Sequence, residues 1–307
     1  METTGSRMHP LDLANLRPLV DRTRGRRGVA IGLIDGPVDL EHPGLTPNRI
    51  REVQAEAAIA CAGQSSAACV HGTFIAGELA AQRGTSVPAI CPDCTLLLRP
   101  IFDDGSGRQT PGASAGELAA AVVECVDAGA RILNLSLTLG SSTPRDERIL
   151  LQALDYAGQH GVIVVAAAGN QRTVGSSLIT RHPAVIPVIA CDSRGAPLEY
   201  SNLGHSIGQR GISAPGENIT SLGPEGRLLV FSGTSVATPF VTGAIALLLS
   251  LFPRASAARV KLALARSHPR RRSVTPPLLD AWRTALVLAR LVRGAELQIG
   301  TPAAATA

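Results

Sequence analysis

Val29-Ala30-Ile31-Gly32-Leu33-Ile34-Asp35-Gly36-Pro37 is an unbroken apolar run of strand length, closed by an acid and two turn-forming residues. Six successive apolar residues leave no polar face. The run therefore reads as a strand buried on both sides, as in a parallel sheet, with Asp35 at its carboxyl end. Downstream the chain alternates. Cys94 to Phe102 reads as strand, Ala113 to Ala128 as helix, Arg131 to Leu137 as strand, Arg148 to His160 as helix and Val162 to Ala168 as strand. This β-α-β rhythm predicts a doubly wound α/β fold, a mainly parallel sheet with helices on both faces and a ligand site beyond the carboxyl ends of its strands. Asp35, Ser136 and Asn170 all fall at or just after such ends.

Composition agrees. Of 307 residues 45% are hydrophobic but only 3% aromatic, so the core must be built from Ala, Val, Leu and Ile. The most apolar stretch, Val236 to Phe252, is interrupted by Thr238, Pro239 and Thr242. It is shorter than the ~20 residues that span a bilayer and reads as a buried helix, so no membrane partner is expected. One domain is expected over residues 29–296, preceded by an Arg-rich arm (1–28, with a helical turn around Leu11 to Leu19) and followed by a flexible tail (297–307). Residues 1–28 hold no apolar run of the ~7–15 residues that a signal peptide needs, so the chain is expected to be cytoplasmic.

The net charge is +5, carried by arginine, with Lys261 the only lysine. Arg22, Arg24, Arg26, Arg27 and Arg270 to Arg272 form two clusters, but neither aromatic interleaving nor a nucleic-acid motif accompanies them. They read as solvated charge with a weak attraction for acidic peptides, and nucleic acid is not an expected partner. The sequence leaves the oligomeric state open. Without an export signal the six cysteines are expected to be mostly reduced, with a local Cys61–Cys69 disulfide as the minor alternative. Cys91-Pro-Asp-Cys94 has a zinc-knuckle spacing but lacks a second ligand pair, and reads as structural thiols.

Three strings carry chemistry. Asp35 ends the buried strand, which alone is weak, because acids at strand ends are usually turn formers. Val70-His71-Gly72-Thr73-Phe74-Ile75-Ala76-Gly77 has small residues at helical spacing that would let a helix starting at His71 pack against the sheet. Ser232-Gly233-Thr234-Ser235-Val236-Ala237-Thr238-Pro239 precedes the apolar helix and puts Ser235 at its start. There, free N–H groups and the helix dipole stabilise a developing oxyanion, although a serine at this place also serves as a simple cap.

Taken together and in this order, Asp35, His71-Gly-Thr and Gly233-Thr-Ser-Val-Ala-Thr-Pro239 resemble the subtilases, over nearly the whole span from Val29 to Phe252. Ala166-Ala-Ala-Gly-Asn170 is similar to the family's oxyanion segment, and Asn134-Leu-Ser-Leu137 and Asp104-Gly-Ser-Gly107 to its two substrate-binding edges. Ser213-Ala-Pro-Gly216 matches a structural loop. The resemblance implies a serine endopeptidase with Asp35, His71 and Ser235 as its triad, Asn170 as oxyanion donor and Gly105, Ser136, Leu137 and Thr138 along the substrate. In subtilisin, loss of the corresponding asparagine lowers turnover by about 10²–10³. Such chemistry needs no cofactor and no metal.

Several positions depart from the common pattern. Gly36-Pro37 replaces the usual Ser/Thr-Gly, Phe74 replaces a second histidine, and Gly44 stands where many secreted members carry a calcium-binding acid. Thr138 stands where a glycine often opens the specificity pocket, which implies a narrowed one. Leu33-Ile-Asp-Gly-Pro-Val-Asp39 with His42-Pro43, His71-Gly-Thr-Phe74 and Cys94-Thr-Leu-Leu-Leu-Arg-Pro-Ile-Phe102 look most like the subtilases of cyanobactin maturation. Those enzymes cut ribosomally made precursor peptides. A precursor-processing protease, with a preference for acidic leaders, is thus the leading expectation. A broad intracellular turnover protease and an inactive subtilase-fold binding partner are the alternatives.

Overall fold

The run that opens at Val29 forms β1 (Ala30–Asp35), a strand inside a seven-stranded sheet. The computed structural model of the chain describes residues 8–46, 49–53, 61, 66–84, 86–102, 113–137, 139, 143–268 and 273–292. The other sheet strands are β2 (Ile50–Glu52), β3 (Thr95–Pro100), β4 (Ile132–Leu135), β5 (Ile163–Ala167), β6 (Val185–Cys191) and β7 (Ile212–Pro215). Their order is 2-3-1-4-5-6-7 and every pairing is parallel. After β1 the chain sets β2 at one edge and then β3 between β2 and β1, before crossing to the other side with β4. That reversal opens a crevice at the carboxyl ends of β1 and β4, where a ligand is expected in such sheets. A separate antiparallel hairpin joins β8 (Ile219–Leu222) to β9 (Leu228–Phe231).

Among the described residues ten helices accompany the strands: α1 (Pro10–Leu13), α2 (Arg17–Val20), α3 (Ala67–Ala80), α4 (Ala115–Asp127), α5 (Pro144–Gln159), α6 (Leu178–Arg181), α7 (His205–Arg210), α8 (Thr234–Leu251), α9 (Ala257–Arg266) and α10 (Ala281–Leu291). Side chains alternate across a strand, so neighbours on β1 feed opposite layers. Leu33 packs into a core with Phe74 and Ile75 of α3 and Phe240 and Val241 of α8. Ile34 enters a second core with Leu118 and Val122 of α4 and Leu150 and Leu154 of α5. α8 is long and apolar enough by composition to cross a membrane, but 89% of it is buried in the protein, which makes it the central core helix.

The structure corrects three expectations and realises the minor alternative of a fourth. The N-terminal segment is no detached arm over its described residues: Leu11, Ala14, Leu16, Leu19 and Val20 are buried in the same core as α8, and Arg22 stacks on Trp282. The helical turn expected around Leu11 to Leu19 is present as two helices of four residues each, too short for a periodic pattern to mark the buried face. α3 begins before His71, capped by the Ser66 hydroxyl on the Cys69 N–H, so His71 lies in the second turn. α5 begins at Pro144 behind the Thr143 cap, four residues earlier than the apolar pattern indicated. Cys61 and Cys69 form a disulfide with a Cα–Cα distance of 5.5 Å, whereas Cys91, Cys94, Cys125 and Cys191 are free and buried. The tail at 297–307 lies outside the described residues.

Candidate active site

Asp35 ends β1 fully buried, and its Oδ1 receives the Gly36 N–H at 2.7 Å and pairs with His71 Nδ1 at 2.6 Å. Two glycines make this approach possible. A Cβ on Gly72 would lie 2.4 Å from the carbonyl oxygens of both Gly36 and Pro37, and one on Gly36 would lie 2.0 Å from the Ala68 oxygen. Backbone therefore meets backbone where α3 crosses the end of β1, and His71, next to Gly72, is delivered to the carboxylate. The His71 side chain remains 26% exposed, so the ring is held from behind and open in front.

Burial pulls the His71 pKa down, but the charge of Asp35 and the hydrogen bond to it together outweigh burial, so the pKa stands above its ordinary 6.5. Asp35 Oδ2 is buried and receives no hydrogen bond. Gly36, in place of a hydroxyl residue, offers only its N–H.

Ser235 lies in the first turn of α8, half-buried, with a backbone N–H that has no intrahelical acceptor. Asn170 follows β5 by three residues. Its Oδ1 accepts from both the Thr234 N–H and the Thr234 hydroxyl at 3.0 Å, and that hydroxyl also accepts the Gly169 N–H. This double contact settles the amide orientation and turns the NH₂ toward Gly233. A Cβ on Gly233 would stand 3.2 Å from Asn170 Nδ2 and 3.5 Å from Ser235 Oγ. The space kept free by that glycine thus adjoins both a serine hydroxyl and an amide donor, a pairing that could serve an attacking oxygen and an oxyanion. No hydrogen bond joins Ser235 to His71 in this structure, and where a serine and a histidine do work together that bond is often long without substrate.

Ser136 is buried, and its hydroxyl donates to the Ser235 carbonyl at 2.9 Å while accepting from Asn134 Nδ2. Thr242 donates in turn to Asn134 Oδ1 at 2.8 Å, so β4 grips α8 at two successive levels. The side chain of Ser136 is therefore occupied in fixing the Ser235 peptide. Leu137 is buried beside it, while Gly105 and Thr138 lie outside the described residues. Sequence reasoning missed Thr234, Asn134 and Thr242. The signal was present: polar residues inside an otherwise apolar strand and helix must find partners, and these find one another.

Residues 26–282 match the sequence profile described as the subtilase family. The chain belongs to the subtilase family. Subtilisin DY of Bacillus licheniformis is 31% identical over 248 residues, which cover 78% of this chain and 84% of that one. Against longer relatives the chain spans about half their length. Among solved structures, the prenylagaramide maturation protease PagA superposes with a TM-score of 0.77 at 28% identity, covering 89% of this chain and 98% of its own. The patellamide maturation protease PatA gives 0.71 at 33%, covering 87% and 98%. This subtilase is a serine endopeptidase by family, with the parallel sheet and helices of those neighbours.

Proposed function

We propose that this subtilase cuts a precursor peptide during maturation of a ribosomally made product, with Ser235 as nucleophile. The observation that supports the chemistry is the 2.6 Å contact of a buried Asp35 with His71, on the same sheet edge as the Asn170 amide. His71 Nε2 takes the Ser235 proton as Oγ bonds to the scissile carbonyl carbon. The resulting oxyanion is held by the Ser235 N–H and the Asn170 NH₂. Collapse of that intermediate breaks the C–N bond, and His71 returns the proton to the departing amine. Water then attacks the acyl-enzyme through the same base, releasing the acid and restoring Ser235. Asp35 holds the imidazole in one tautomer and stabilises its cation throughout.

The maturation reading draws on the likeness to PagA and PatA over nearly their full solved length. Gly105, Ser136, Leu137 and Thr138 are proposed to line the extended substrate, Ser136 and Leu137 through their backbone. Incubation of the protein with precursor peptides encoded beside its gene, followed by mass spectrometry, should give one or two defined cuts. Ready degradation of unfolded casein with no precursor cleaved would instead identify a turnover protease.

A further inference from the structure

The opposite edge of the sheet carries a second concavity. At the amino ends of β6 and β7, between α7 and α9, lies a cavity of about 890 Å³, within the size range of small-ligand sites. Ile186, Leu264 and Pro277 give it apolar walls, and Arg210, Lys261 and His268 supply its ionisable groups. Neither Asp nor Glu is among its described lining residues. Each basic side chain keeps unused donor capacity or an unpartnered nitrogen. Lys261 Nζ gives one bond, to the Ala184 carbonyl at 2.7 Å, and has two N–H groups left. Arg210 spends one terminal nitrogen on the carbonyls of Thr180, Arg181 and His182, while its Nε is buried with no partner. His268 Nε2 is also buried and unpartnered. Asp280, whose charge reaches His268, is already engaged by Asn15 and by the Arg283 N–H at the cap of α10. Burial depresses the pKa of Lys261 and of Arg210, the expected response of cations held without a counter-charge.

We propose that this cavity is a second, non-catalytic binding site for carboxylates carried on an apolar body, and that an acidic segment of the peptide substrate supplies them. The lining fits that chemistry on both counts, with positive donors to meet carboxylates and aliphatic walls to bury the residues between them. This rests on the reading that the substrate is a precursor longer than its cut site. β6 alone separates the two edges by roughly 20 Å, so one chain reaching both must be extended over several residues. Short peptides cannot bridge that span. Long precursors gain from it, because capture at one site raises the effective concentration at the other.

The test uses full-length protein carrying Ser235→Ala and a fluorescein-labelled decapeptide of alternating glutamate and leucine, with its glutamine counterpart as control. Fluorescence anisotropy should show the glutamate peptide binding about tenfold more tightly, the scale of one charge-assisted hydrogen bond. Lys261→Met should remove that preference and Lys261→Arg retain it. His268→Leu, which leaves the Lys261–Ala184 bond intact, should weaken the glutamate peptide and provides the test if Lys261→Met fails to fold. Equal binding of the two peptides, or indifference to both Lys261→Met and His268→Leu, overturns the proposal. Displacement of the peptide by free glutarate at equal carboxylate concentration would assign the site to small carboxylates and overturn the peptide source. No readout here depends on turnover, so a failure to cleave precursors would leave this result standing.

Discussion

His71 and Glu78 stand on the same helix, two turns and about 10 Å apart, and the fold treats them in opposite ways. His71 meets a carboxylate at 2.6 Å and keeps an open front. Glu78 is fully buried, and neither of its carboxylate oxygens has a hydrogen-bond partner. Burial alone lifts the Glu78 pKa well above 4.5 and so favours the neutral acid, whereas at His71 a partner overcomes burial and favours the charge. Burial thus opposes charge at both positions, and only the presence of a counter-charge decides the outcome. The active end of α3 is the end where two glycines allow the backbone of β1 to approach.

The largest effect should follow removal of the counter-charge. Asp35→Asn leaves the hydrogen-bonding shape but not the charge, and kcat should fall by about 10⁴, the scale of the equivalent change in other serine proteases. With the Asp35 contributions gone, burial is left in control and the His71 pKa should drop from above 6.5 to below it. Imidazole NMR against pH reads this directly. A His71 titration that does not move would break the contrast with Glu78.

A smaller effect is expected from disturbing the approach itself. In Gly72→Ala the new Cβ meets two backbone oxygens at 2.4 Å, so α3 must shift away from β1. Overpacking of this kind costs about 1–3 kcal/mol. Denaturant midpoints should show that loss together with a fall in kcat, while Gly175→Ala, with nothing within 4 Å of its Cβ, should change neither.

Glu78 gives the effect that is smallest near pH 4.5 and most dependent on pH. The folded chain keeps the Glu78 proton where the unfolded chain has lost it. Stability therefore falls as pH rises from about 4.5 toward the folded pKa, by about 1.4 kcal/mol per pH unit. In Glu78→Gln that slope should vanish, so the variant gains on the wild type as pH rises. Parallel stability curves for the two proteins would show that Glu78 is not held neutral.

Much of this was legible in the sequence because parallel strands buried on both faces read as plain apolar runs. β1, β3, β4 and β5 appear at their expected places, each within a residue or two at either end. The site strings were legible for a different reason: Gly72 and Gly233 mark places where backbone or a reacting atom must come close. What could not be read depends on contacts between distant segments. α1 and α2 were legible as a helical turn, but not their docking, which depends on α10, far away in the chain. The partnership of Thr242 with Asn134 spans 108 residues, and the isolation of Glu78 is a property of everything packed around it.

The central claim is that Ser235 is a nucleophile activated by the His71–Asp35 pair. Mass spectrometry of the protein after exposure to a fluorophosphonate, over a series of pH values, tests it most directly. The account predicts one adduct, on Ser235, forming at a rate that rises through an apparent pKa above 6.5 and is lost in His71→Ala. An adduct on another serine, no adduct, or an unchanged rate in His71→Ala would contradict it.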